Sequence, residues 1–253
     1  MLSTLKKAQQ PLIWWLLAAG TAAALKWHFS AADSASLAWM LRPLALSLQW
    51  LMARRFEQTA AGDWACAAAG IVLVKACAGI NFMIMSFLGW CLWLQPRACG
   101  PAASVPATAP AAPSCSPRSP WLRWPILIAG ALTLAWLVAL GVNALRVLAI
   151  VAWQPKLEHW LAPAVAHRLI GLGVYLSALI LQLTLADSGR PPRPARAAWI
   201  AAALYLAVML LVPMLSGHAG ANTRQFREHL VMVLTVTVPL AVASLLMRRT
   251  GVH

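Results

Sequence analysis

Three residues of this chain have side chains suited to acyl transfer when they meet: Cys77 in VKACAGINF (Val74–Phe82), Arg146 in GVNALRVLAI (Gly141–Ile150) and His167 in AVAHRLIGLG (Ala164–Gly173). A thiol attacks a carbonyl as the thiolate, which a neighbouring imidazole or cation favours. His167 suits the base that takes the thiol proton and returns it to a leaving amine. Arg146 offers hydrogen-bond donors to a tetrahedral oxyanion. Asn143, three residues before Arg146, shares its helical face and is expected to hold the guanidinium. Asn81 is a second expected supporting side chain. Lys75 would face away from Cys77 on a regular helix, and its expected role is to snorkel to the interface.

Each of these residues alone has a plainer role. A lone Cys in an apolar run is usually a small hydrophobe. A His at a helix start is more often an interfacial polar group, and an Arg near a span end usually snorkels. The set acquires meaning only if the chain brings all three to one depth on one side of one element layer.

The elements available are membrane helices. The chain has 253 residues, of which 61% are hydrophobic and 10% charged, whereas a soluble domain is about a quarter charged. Much of the surface must therefore face lipid. Apolar runs fall at about 11–26, 35–53, 63–79, 82–95, 122–142, 144–153, 166–186, 198–215 and 230–247. A span needs roughly 20 mainly apolar residues, and only a helix satisfies its backbone within one segment in lipid. The expectation is an all-α, polytopic transmembrane helix bundle of about eight spans. In it, 144–153 either continues the preceding helix or turns back as a re-entrant piece. The alternation of an outer-membrane barrel is absent. Trp residues at run ends, such as Trp27, Trp50, Trp90, Trp153 and Trp199, fit the interfacial aromatic belt. The whole of 1–253 reads as a single integral membrane domain, with a flexible cytoplasmic loop at 96–120 and a C-terminal helix pair at 198–247. A second Pro/Arg linker lies at 187–197, and no convincing cleavage site follows the first run.

The net charge of +14 comes from short basic clusters between apolar runs. No basic stripe with interleaved aromatics appears, which argues against nucleic acid. Eight crossings from an inside N-terminus put twelve cations inside and seven outside, with Arg42 within the second run. That bias places both termini in the cytoplasm and puts Cys77, Arg146 and His167 together on the outer side. The five cysteines form no CxxC pair and no metal spacing, so neither a disulfide framework nor a cofactor is expected. A second polar cluster, Ser216–Leu230, is also expected outside. Its His218, Asn222, Arg224, Arg227 and His229 are either substrate or acceptor contacts or the solvated cap of the last helix. His229 is the alternative base.

In order, Ala76-Cys77-Ala78-Gly79, Asn143-Ala144-Leu145-Arg146 and His167 with Gly171 four residues on resemble the motifs of the exosortase and archaeosortase family of membrane cysteine transpeptidases. The resemblance covers about residues 60–186, and ACAGINF is most similar to the exosortase K subgroup. Ala78 stands where the commoner ACSG wording has Ser. The resemblance implies a multi-pass enzyme of a bacterial inner membrane, its active site facing the periplasm or exterior. Its substrates would be secreted proteins with a C-terminal sorting signal: a short motif, a hydrophobic span and a basic cluster. Cys77 would form a thioester near that motif, His167 would shuttle protons and Arg146 would stabilise the transition state, with transfer to an acceptor amine. Substrate proteins and membrane lipid are the partners implied; the oligomeric state is not fixed.

Three other functions compete. A small transporter predicts charges near the midplane, and Arg42-Pro43 in the second run is the feature it explains better. A serine or metal protease lacks its motifs here, since neither GxSxG nor HExxH occurs. A non-enzymatic component of an export or assembly system would need no reactive thiol.

Overall fold

The computed structural model describes residues 2–99, 120–186, 194–211 and, in the last segment, 227, 230, 231, 233–239, 242 and 243. It is mainly helical: α1 (Leu2–Ala31), α2 (Ala38–Met52), α3 (Ile80–Cys99), α4 (Pro120–Leu157), α5 (Pro163–Ala186) and α6 (Pro194–Leu206), which widens into a π-helical turn at Ala207–Leu211. Among the described residues three stretches are long and apolar enough to cross a membrane: Lys75–Gln95, Arg123–Leu157 and Pro163–Ala186. Residues 144–153 continue α4 without a break. Helix α3 runs on through Cys99 into the start of the expected loop.

The run at 63–79, expected as a spanning helix, is not one. It folds with the residues before it into an antiparallel sheet of β1 (Glu57–Gln58), β2 (Trp64–Cys66) and β3 (Ile71–Leu73), in the order β1-β2-β3. Trp64 stands opposite Leu73, Ala65 opposite Val72 and Cys66 opposite Ile71. The cause lies in Gly62, Gly70 and Gly79, whose φ values of 83°, 62° and 68° belong to turns and not to helix. Gly62 closes the β1–β2 turn, its amide donating to Thr59 O at 3.0 Å. Gly70 closes the short 3₁₀ turn Ala67–Ala69, and Gly79 ends the turn Lys75–Ala78 from which α3 departs.

Helix α2 is also shorter than a span. Its 15 residues extend about 22 Å, against about 30 Å of hydrocarbon. Met40, Leu41, Leu44, Ala45 and Leu48 are buried on one face, while Trp50 on the other is 83% exposed. Hydrogen bonds from Ser36 hold the Asp33 carboxyl below its usual range and close the turn that leads into α2. Both ends of α2 meet the β segment. Ala35 packs under Gly62, and Arg54 donates to Ala68 O at 3.1 Å. Helix α2 and the sheet therefore form one cap over the end of the bundle where α1 finishes. Lys75 fastens it, its ammonium donating to Ser30 O (3.2 Å) and Ala32 O (2.6 Å). A cation on the last carbonyls of a helix satisfies groups that have no intrahelical partner. Lys75 thus caps α1 where snorkelling was expected.

The cap also changes the charge argument. It carries Arg42, Arg54 and Arg55 to the Cys77 end, where the expectation had Arg54 and Arg55 on the opposite side and Arg42 within a span.

Beneath the cap the long helices α1, α3, α4 and α5 alternate in direction along the chain, so α3 and α5 run parallel. Trp14 Nε1 donates to Cys91 O at 3.2 Å and Lys26 Nζ to Asn81 Oδ1 at 2.7 Å, so α1 runs down α3. Helix α4 turns a row of small residues inward at steps of four: Ala131, Ala135 and Ala139, all fully buried, then Asn143 at 1% exposure. Small residues let helix backbones approach closely in lipid, and the same row carries Asn143 to the interior. Helices α3 and α5 are joined by Ser86 Oγ, which donates to Gln182 Oε1 (2.8 Å), and by Gln182 Nε2, which donates to Ser86 O (2.9 Å). At the end away from the cap, α3, α5 and α6 share a groove lined by Trp93, Ala186 and Arg196.

Candidate active site

Two helical rows build the site. On α5, His167, Gly171 and Tyr175 follow one another at steps of four and lie one above the other. On α4 and the residue after it, Arg146, Ile150, Gln154 and Glu158 do the same. Arg146 reaches from its row across Gly171 to both neighbours. Its Nη2 lies 3.3 Å from His167 Nε2, and its Nη1 donates to Tyr175 Oη at 3.2 Å. The guanidinium carbon is 5.4 Å from the Tyr175 ring centre. Gly171 is what admits it, because a Cβ there would stand 2.8 Å from Arg146 Nε. That Nε is buried with no protein partner among the described residues, so the guanidinium keeps donors in reserve.

The second nitrogen of His167 is held as well. Nδ1 lies 3.2 Å from Gln154 Oε1, and Gln154 Nε2 donates to Glu158 Oε1 at 2.7 Å. A carboxylate only accepts, so Glu158 fixes which end of the Gln154 amide faces the ring. The imidazole then carries its proton on Nδ1, and the Nε2 lone pair faces Arg146. This is the tautomer a general base at Nε2 requires.

Cys77 sits in the turn before α3, half-buried, its amide donating to Val74 O at 2.7 Å. The turn is joined to the arginine in two steps. Asn143 Nδ2 donates to Ala78 O at 3.2 Å, and Tyr175 Oη donates to Asn143 Oδ1 at 2.6 Å while accepting from Arg146. The Asn143 amide packs so closely over Gly79 that a Cβ there would overlap it. Phe82 stacks on Tyr175 with centroids 5.0 Å apart and closes that side.

Cys77, Arg146 and His167 line one cleft of about 400 Å³, together with Leu73, Val151 and Gln154. Cys77 Sγ makes no hydrogen bond to His167 in this structure; the two are lining residues of the same cleft. Arg146 also lines a smaller cavity of about 170 Å³ with Asn81, Tyr175 and Met85.

The three residues expected to do chemistry are therefore together. Asn143 is in the site, but its amide holds the Ala78 carbonyl and the Tyr175 hydroxyl, so it reaches the guanidinium only through Tyr175. Asn81 faces the smaller cavity and accepts from Lys26, away from the thiol. Arg227 is exposed and lines neither cavity. His218, Asn222, Arg224 and His229 lie outside the described residues. Sequence reasoning missed Tyr175, Gln154 and Glu158. The step-of-four spacing from His167 through Gly171, and from Arg146, leads to all of them. Comparison with protein-family models, curated proteins and solved structures finds no match to this chain.

Proposed function

We propose that the chain is an exosortase-like membrane cysteine protease or transpeptidase. Its substrates would be secreted proteins with a C-terminal transmembrane tail, and the capped end of the bundle would face the periplasm or exterior of a bacterial inner membrane. One observation carries the reading: a thiol, an imidazole in the base tautomer and a guanidinium with donors to spare line the same cleft at one end of the helices. The Cys77 thiolate adds to the scissile carbonyl carbon, and the thiol proton passes to His167 Nε2. A substrate carbonyl that takes the Arg146 Nη2–H releases that Nε2 to accept the proton. As the tetrahedral intermediate collapses, the C–N bond breaks and Nε2–H protonates the leaving amine, which yields the Cys77 thioester. An acceptor amine, or water, then adds to the thioester and regenerates the thiol. Gln154 stabilises the transient imidazolium through its carbonyl at Nδ1.

A helical sorting tail suits this placement, since its polar flank would stand at the bundle end where the cleft lies. A transporter would need polar groups along the middle of the helices. The buried mid-helix pair Ser86 and Gln182 bond to each other. The test is a comparison of C-terminal peptides of membrane proteins from cells carrying the wild-type chain, Cys77→Ala, Arg146→Ala or His167→Ala. Retention of one set of C-terminal tails in all three variants, with normal membrane insertion, supports the proposal. Unchanged tails in every variant would overturn it.

A further inference from the structure

We propose that the open edge of β3 is the substrate-binding strand, pairing with the extended peptide segment that carries the scissile bond. The inference rests on the acyl-transfer reading and names how that site takes its substrate. Among the described residues β3 pairs with β2 on one side only. Ile71, Val72 and Leu73 line the same cleft as Cys77, Arg146 and His167, so the strand borders the space that holds the reacting groups. Val74 stays extended, at φ −98° and ψ 174°, and carries the strand direction up to the turn that holds Cys77.

A strand edge presents amide N–H and carbonyl groups in a fixed row, and hydrocarbon cannot satisfy them. A peptide lying along it makes the missing ladder bonds whatever its sequence, while alternate side chains enter flanking pockets. The occupant is one extended chain and not a second copy of the protein. A cleft of about 400 Å³ lies near the lower end of ligand-pocket sizes and is walled by α4 at Val147 and Val151. Val72 and Val74 are 52% and 38% exposed, which offers apolar contact to alternate residues of the added strand. The bound chain advances about 3.3 Å per residue, so a carbonyl a few residues along the edge reaches the Cys77 turn. This arrangement favours a short extended motif ahead of a helical tail: the motif is read by backbone pairing, the tail by lipid and the bundle.

The experiment uses the full-length protein in lipid nanodiscs and four thiol reagents: iodoacetamide, a blocked tetrapeptide chloromethyl ketone, and two analogues of the latter N-methylated on adjacent amides. Each chloromethyl ketone loses chloride as the Cys77 C–S bond forms, and the rate at Cys77 is read by mass spectrometry with Cys77→Ala as control. Neighbouring amides of an extended chain point in opposite directions, so one methylation should slow labelling by about tenfold, the loss of one hydrogen bond. The other should leave the rate unchanged, as should the iodoacetamide control. Equal rates for all three peptides, with Cys77 still labelled, would overturn the strand pairing and leave the thiol chemistry standing. No labelling of Cys77 by any reagent would remove the acyl-transfer reading and this inference with it.

Discussion

Replacing Gly171 by Ala tests the central geometry without removing any functional group. The new methyl would lie 2.8 Å from Arg146 Nε, and ordinary contact begins at 3.4 Å, so the guanidinium must retreat by about 0.6 Å. Its hydrogen bonds to Tyr175 and His167 are already 3.2 and 3.3 Å. A retreat of that size along either bond takes it past the range of N–H bonds. A misplacement of about 1 Å costs roughly 10²-fold in rate, so Gly171→Ala should slow acylation of Cys77 by about 10- to 100-fold, or about 1.4–2.7 kcal/mol. Folding should not suffer in proportion, because Ala is the better helix former by about 1 kcal/mol. The assay is the nitrophenolate burst from a blocked leucine p-nitrophenyl ester, with thermal unfolding of the detergent-solubilised protein measured in parallel. A wild-type burst rate in a fully folded Gly171→Ala protein would refute the claim that Arg146 acts from the space above Gly171.

Other substitutions separate positioning from folding. Gln154→Ala should lower the burst rate about fivefold by releasing the His167 tautomer, the loss of one hydrogen bond near 1 kcal/mol, and should change its pH profile; an unchanged profile would assign Gln154 a merely structural place. Gly79→Ala combines a positive φ, costing about 1–2 kcal/mol, with overlap onto Asn143, so the unfolding midpoint and the burst should fall together. Lys75→Met leaves the α1 carbonyls of Ser30 and Ala32 uncapped; stability should drop by about 0.5–2 kcal/mol while iodoacetamide still labels Cys77. Gln182→Leu should cost about 0.6–2 kcal/mol through the lost Ser86 pair, with the burst rate retained.

The membrane character and the grouping of Cys77, Arg146 and His167 were legible in the sequence, for different reasons. Apolar composition reports the solvent, and the long runs of α3, α4 and α5 became the three helices able to cross it. The grouping survived an error in the span count. The second run and the run at 63–79 left the count together, so Cys77 stayed at the end where α1 finishes. Composition does not report backbone shape, however. Strands of two and three residues are too short to show alternation, and only the positive-φ glycines at 62, 70 and 79 marked the cap. Asn143 illustrates a subtler limit. Spacing put it on the helical face of Arg146, but the long arginine side chain leaves that face for α5, and only tertiary contact shows Tyr175 between them.

The most direct test of the account is to ask which side chain becomes acylated. The protein would be quenched in acid after mixing with the blocked leucine ester, digested, and its hydroxylamine-labile acyl groups mapped by mass spectrometry. The account predicts one acyl group on Cys77, strongly reduced in His167→Ala and Arg146→Ala, with the buried Cys66 and Cys91 unmodified. An unacylated Cys77, or acylation equal in all three proteins, would contradict it.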